Sequence, residues 1–225
     1  MSSESRLNRY ALVATSVPLA AVATTQTVTA DIVYENTGGI TIGGFGSQPD
    51  RTDIAIGEYG SIAFNAGHNS AGPQFVFAAS VVGATSKGKE PEQLGLILSA
   101  GSQKASKGLA RFAVGDLIAA ASSSGPLGIG AIGSDGKFDS GAFAGGGSGF
   151  LGFTVDVESL GGTEYRYGWI AVDWDAETFE LTIDGFAYET DAGVGIEAGA
   201  IPAPAALGLF GLAAGAAGIR RKRKI

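Results

Sequence analysis

No cysteine stands anywhere in the sequence. That excludes disulfides, thiolate zinc sites and a cysteine nucleophile, while leaving the compartment open. A single histidine, His68, excludes a multi-histidine metal site within one chain. Charged residues make up only 16 %, too few for a disordered polyelectrolyte. Between Asp31 and about Ala200 no amphipathic helix of convincing length can be traced.

What replaces these features is glycine. There are 37 in 225 residues, against about 7 % in ordinary proteins. Glycine loses much backbone entropy on ordering and buries no side chain, so it favours turns between short strands over long helices. Short apolar runs recur between Gly, Asn, Asp and Ser: DIVYE, GITIGGF, TDIAIG, GSIAFN, PQFVFAASVVG, GLILSA, ARFAVG, GKFDSGAF, GFLGFTVDV, YRYGWIAVDW and FELTIDGFAYE. Their spacing predicts an all-β body, a β-sandwich or jelly roll, over 31–200. ATSKGKEPEQ and GSQKASKG read as solvated loops, and LIAAASSSG as a short helix or irregular loop. The clearest unit is the last hairpin. Alternation predicts that Ile170, Val172 and Trp174 are buried on its first strand and Phe179, Leu181 and Ile183 on its second. DAET joins them as a four-residue connection suited to a type I turn.

The two ends have a different character. Arg6 and Arg9 precede the apolar stretch Ala11 to Ala23, and VTA sets small residues before Asp31. That is the layout of a secretory signal peptide over 1–30, with a signal helix and cleavage after Ala30, or second after Ala23. At the other end come Ile201, Pro202, Ala203 and Pro204. The stretch Ala203 to Ile219 comes next, uncharged and at the short limit for a transmembrane helix, and then the cluster Arg220, Arg221, Lys222, Arg223 and Lys224. Such a cluster stays cytoplasmic and sets the orientation of an inserted tail. Seven of the 15 Lys and Arg residues, and Glu4 of the 22 acidic ones, lie in these ends. The 8 basic and 21 acidic residues left give the middle a charge of −13, which repels nucleic acid and anionic lipid.

A proline motif, an apolar helix and a terminal basic cluster resemble the PEP-CTERM sorting signal, over 201–225. Its usual Val-Pro-Glu-Pro is here Ile201-Pro202-Ala203-Pro204, with Ala203 in place of the glutamate. The region before it is also similar to that family, at Phe150 to Phe153, Tyr167 to Trp169 and Ala187 to Glu189. The resemblance implies processing by signal peptidase and by an exosortase, with transient membrane insertion, and delivery to the cell surface or the extracellular polysaccharide matrix. It implies no enzymatic activity and no cofactor.

Residues with chemical potential in the body are few. Asp173, Asp175 and Glu177 stand at positions 1, 3 and 5 of an EF-hand-like spacing, with Asp184 at 12. Thr178 occupies position 6, where such a loop needs glycine, so a hairpin is expected there with surface calcium binding at most. His68 reads as a solvated loop residue, since no nucleophile elbow accompanies it. The run GGGSGF lacks the Lys-Ser/Thr ending of a phosphate loop and reads as a flexible turn before a strand. Tyr165, Tyr167 and Trp169 share one strand face, either stacking on sugar rings or packing beneath a neighbour. The sequence therefore points to an exported structural or adhesive protein of biofilm or exopolysaccharide. A carbohydrate-binding module built on that aromatic row is the alternative, and a hydrolase of unknown type is third.

Overall fold

The structure, a computed structural model, describes residues 31–46, 48–68, 70, 74–82, 94–99, 108–119, 124–133, 140–156 and 164–202. The signal segment 1–30 and the tail from 203 onward, with their expected helices, lie outside the described residues. So does most of both loops expected to be solvated.

Among the described residues twelve strands run in order: β1 (Ile32–Gly43), β2 (Asp50–Ala55), β3 (Ser61–His68), β4 (Phe75–Val81), β5 (Leu94–Ile97), β6 (Leu117–Ile118), β7 (Ser124–Gly125), β8 (Leu127–Gly133), β9 (Gly147–Asp156), β10 (Tyr165–Asp175), β11 (Glu180–Glu189) and β12 (Ile196–Glu197). Among the described residues there is no helix. A six-stranded sheet, β1-β11-β10-β9-β5-β7, faces a four-stranded sheet, β2-β3-β4-β8. Neighbouring strands are antiparallel throughout. Each sheet is built round a meander of consecutive hairpins, β2-β3-β4 and β9-β10-β11. The all-β, sandwich-like body expected from the sequence is what the chain forms.

The main core lies between the two sheets. Ile170, Val172, Trp174, Leu181 and Ile183 are all at most 1 % exposed in it, as alternation predicts. They meet Ile62, Phe64, Phe75 and Phe77 from the smaller sheet. Phe77 stacks on Trp174 with ring centroids 5.8 Å apart, and Phe143 abuts Phe77 edge-on at 5.4 Å. The Trp174 Nε1 has no hydrogen-bond partner among the described residues. A buried donor left unpaired costs about 1–3 kcal/mol. Burying an indole of roughly 200 Å² returns about 5 kcal/mol at 25 cal/mol per Å², so packing outweighs the loss.

Phe179 departs from expectation. It belongs to the four-residue turn that follows Asp175, with a left-handed φ of 59°, and is only partly buried. Its ring still reaches the core edge, stacked on Phe75 at 5.2 Å.

A second core covers the opposite face of the large sheet. Ile97, Ile118, Tyr167, Trp169, Ala187, Ile196 and Ala198 are buried there. β6 and β12 pair as a short ribbon, Ile196 opposite Ile118 and Glu197 opposite Leu117, and form this third layer. β11 serves both cores through a bulge. Its pairing with β10 shifts between Ala171 and Val172, leaving Asp184 as the extra residue. Before it Leu181 and Ile183 point into the main core; after it Phe186 and Tyr188 do, and Ala187 turns to the second. One inserted residue reverses the phase of a strand. A Cβ at Gly185 would lie 2.6 Å from the Glu35 carbonyl oxygen, so the close strand approach there requires glycine.

Two expectations need correction. ARFAVG forms no regular strand and contributes a single bridge, Phe112 with Phe150; of GKFDSGAF only 140–143 are described, and there Ser140 bridges Ile132. LIAAASSSG supplies β6 and β7, with 120–123 outside the described residues. LGIGAIG, not among the strands expected from the sequence, forms strand β8 with glycine at 128, 130 and 133. Those glycines make room for neighbours: a Cβ on Gly128 would lie 2.4 Å from Leu109, and one on Gly130 2.4 Å from the Phe77 ring.

Gly130→Ala should therefore drive Phe77 against Trp174 and destabilise the protein by about 1–3 kcal/mol, the range for overpacking a core. In a Phe77→Leu background the same change should cost less. The coupling between the two sites should exceed about 0.5 kcal/mol in urea unfolding; additive costs would show that the ring is not what the glycine accommodates.

Candidate functional site

The described chain enters and leaves on the second core. The Asp31 carbonyl accepts the Thr190 amide at 3.1 Å, and Ile32 packs against the cluster. At the other end, residues 113–119 and 195–200 run side by side. Ala198 donates to Asp116 at 2.9 Å and accepts from Gly115 at 2.9 Å. Ala200 donates to Glu197 at 2.9 Å, closing a turn that contains Gly199 at a φ of 84°. The Trp169 Nε1 then donates to the Ala200 carbonyl at 3.2 Å. The next two residues are open: Ile201 is 56 % exposed and Pro202 is exposed as well. Two of the four residues of the expected sorting motif thus lie on the surface. Ala203, Pro204, the cluster Arg220 to Lys224 and the cleavage position Ala30 lie outside the described residues.

Tyr165, Tyr167 and Trp169 share the face opposite Ile170, Val172 and Trp174, as their two-residue spacing requires. This face is covered. Trp169 is 3 % and Tyr167 8 % exposed. Phe150 meets the Trp169 ring edge-on at 5.3 Å, and Tyr34 lies 6.0 Å away on its other flank. A sugar ring stacks on an open aromatic face, and Trp169 offers none. Its task is to hold the end of the domain. Tyr165 alone of the three stays partly open, beside a cleft of about 220 Å³ shared with Ser124, Thr154 and Asp156.

The carboxylates of the hairpin do not make a metal loop. Asp173, Asp175 and Glu177 border an open cleft of about 370 Å³ against Gly145, Gly146 and Gly147. Asp175 is occupied with its own turn: its Oδ1 accepts the Glu177 amide at 2.7 Å and the Thr178 amide at 3.1 Å. These two amides, Thr178 first, hold its carboxyl below the ordinary carboxylate range. Asp184 is the bulge residue of β11 and is not among the residues that border the cleft. Among the described residues no group of three His, Asp or Glu side chains is placed to hold a metal ion.

His68 is the last residue of β3 and not a free loop side chain. Its Nδ1 sits 2.8 Å from the Gly46 carbonyl oxygen, so that nitrogen carries the proton. The ring lies about 6 Å from Phe45 and Phe179. Its polar partner is backbone, not a serine or an acid, which suits anchoring better than base catalysis. The glycine run is likewise less free than expected. β9 already begins at Gly147. Arg111 donates to the carbonyls of Ala142 at 3.2 Å, Gly146 at 3.2 Å and Ser148 at 2.6 Å, with its guanidinium 4.6 Å above Phe143. No sequence signal announces this clamp, because nothing in ARFAVG marks its partners, which lie more than thirty residues away.

Glu189 is fully buried at the end of β11. Its Oε1 accepts the Asp191 amide at 3.2 Å, and its Oε2 has no partner among the described residues. Tyr188 beside it is pushed up from its ordinary value, chiefly by burial and then by Tyr59.

Comparison with protein-family models, with curated proteins and with solved structures finds no match.

The Asp175 turn gives a prediction about pH. A carboxylate with a lowered folded value contributes stability that is complete above its unfolded value, near about 3.9. That contribution is lost as pH falls through the lower folded value. Asp175→Asn keeps the accepting oxygen but cannot titrate. Melting temperatures of the two proteins should therefore converge between pH 5 and pH 2, with the wild type ahead at the upper end. A constant gap would rule out the linkage.

Proposed function

We propose that this chain is an exported protein, sorted by an exosortase to the cell surface or extracellular matrix, with a structural or adhesive role in biofilm or exopolysaccharide. Residues 1–30 are its signal peptide. Residues 201–225 are its sorting signal, with a short membrane helix stopped by Arg220 to Lys224. The observation that carries this reading is the change from held to exposed between Ala200 and Ile201. Ala200 is held by Trp169 and the ribbon, and the next residues, Ile201 and Pro202, are exposed. A processing enzyme binds its substrate as extended backbone, and a proline motif immediately outside a locked domain presents such a segment without unfolding anything. The −13 charge of the middle suits an extracellular, well-solvated surface.

Intact mass of the protein recovered from its native host tests this. The expected mature form lacks residues 1–30 and lacks Arg220 to Lys224. Mature protein that retains Arg220 to Lys224 would make the tail an ordinary anchor.

A carbohydrate-binding role is the second reading, supported by the polar cleft beside Tyr165. Polysaccharide pull-down should then retain the wild type, and Tyr165→Ala should lose roughly tenfold in binding, which is about 1.4 kcal/mol. Absence of wild-type binding to host exopolysaccharide ends this reading.

A further inference from the structure

Nine large apolar side chains are exposed among the described residues, and four of them stand on the ribbon layer and its exit: Val114 at 80 %, Leu117 at 64 %, Val194 at 40 % and Ile201 at 56 %. The ribbon spends Ile118, Ile196 and Ala198 on the second core. Its outer surface nevertheless keeps apolar groups where a solvent-facing strand would carry polar ones. This patch surrounds the point where the described chain ends.

The sequence beyond that point decides what covers the patch. From Pro202 to Ala205, the first residue of the uncharged stretch beyond the proline motif, there are three residue steps. Fully extended they reach about 11 Å. Prolines at 202 and 204 keep the segment stiff. If the run enters a bilayer, the domain cannot leave the lipid surface, and the face nearest that surface is the exit face. We propose that the outer side of the ribbon, centred on Val114, Leu117 and Ile201, docks on the lipid surface while the tail is inserted. The inference rests on the membrane-inserting tail of the proposed function. It adds a surface on the folded domain that orients Ile201 and Pro202 toward a membrane-embedded processing enzyme. Glu197 pairs with Leu117 across the ribbon and shares its outer face, and Asp116 adjoins Leu117; both acids are exposed, so the lipid the patch fits is zwitterionic, not anionic.

The absence of cysteine makes the test clean, since one introduced thiol is labelled alone. The full chain is reconstituted in phosphatidylcholine–phosphatidylethanolamine vesicles containing shallow nitroxide-labelled lipid. Three variants carry an environment-sensitive fluorophore: Val114→Cys on the patch, Arg51→Cys on β2 of the other sheet, and Gly211→Cys in the tail. The expected result is strong quenching at 211 and at least twofold more quenching at 114 than at 51, reduced to the level of 51 by Leu117→Asp. Quenching at 211 with equal signals at 114 and 51 overturns the docking surface and leaves the tail reading standing. No quenching at 211 overturns the tail reading and the docking surface with it. Disulfide-linked dimers of unlabelled Val114→Cys in the vesicles, with 114 unquenched, would assign the patch to a second copy of the chain and overturn the lipid proposal.

Discussion

The contact between Phe77 and Trp174 is what the rest of the molecule is arranged around. These rings come from different sheets and lie almost a hundred residues apart in sequence. Their stack sets the sheet spacing in the middle of the main core, and three other rings take their places from it. Phe143 meets Phe77 edge-on, Phe75 tilts against Trp174, and Phe179 stacks on Phe75. Gly130 of β8 follows from the same demand, because its backbone passes close to the Phe77 ring, and the irregular stretch before β9 sets Phe143 against that ring. Arg111 then ties that stretch down from outside through three carbonyls.

The large sheet is unusual in being covered on both faces. Antiparallel sheets commonly leave one side to water, which produces simple alternation of apolar and polar residues. β10 shows the alternative: residues 167–170 are all buried, with Ile170 in one core and Tyr167 and Trp169 in the other. The third layer that makes this possible is slight, two paired residues on each side with flanking hydrogen bonds. It rests on large aromatic surface, and Trp169 gives it both a packing floor and a hydrogen bond.

Much of this was legible in the sequence, for reasons that particular residues make plain. Ile170, Val172, Trp174, Leu181 and Ile183 declared their core face because period-two alternation is set by the strand itself. The failures came where one strand answers to two neighbours. Trp169 and Tyr167 looked available because the ribbon that covers them pairs through residues 113–119 and 195–200, far apart in the chain and weak in pattern. β8 was not among the expected strands because its glycines answer to Leu109 and Phe77, which no local window contains. Phe179 continued the alternation on paper, yet the turn took it, with the Asp175 carboxylate accepting amides behind it. For the candidate site, the motif from Ile201 was visible from residue types alone. That it begins one residue past the last locked carbonyl was not, since no residue type announces the indole that holds Ala200.

Ile32 and Ala200 both rest on the second core, on the side of the large sheet away from the smaller one. The folded body is therefore one-sided: residues 32 and 200 lie on the ribbon side, and the outer face of β2-β3-β4-β8 is on the other. Variation on that far face can change what the surroundings meet without disturbing the packing that holds residues 32 and 200.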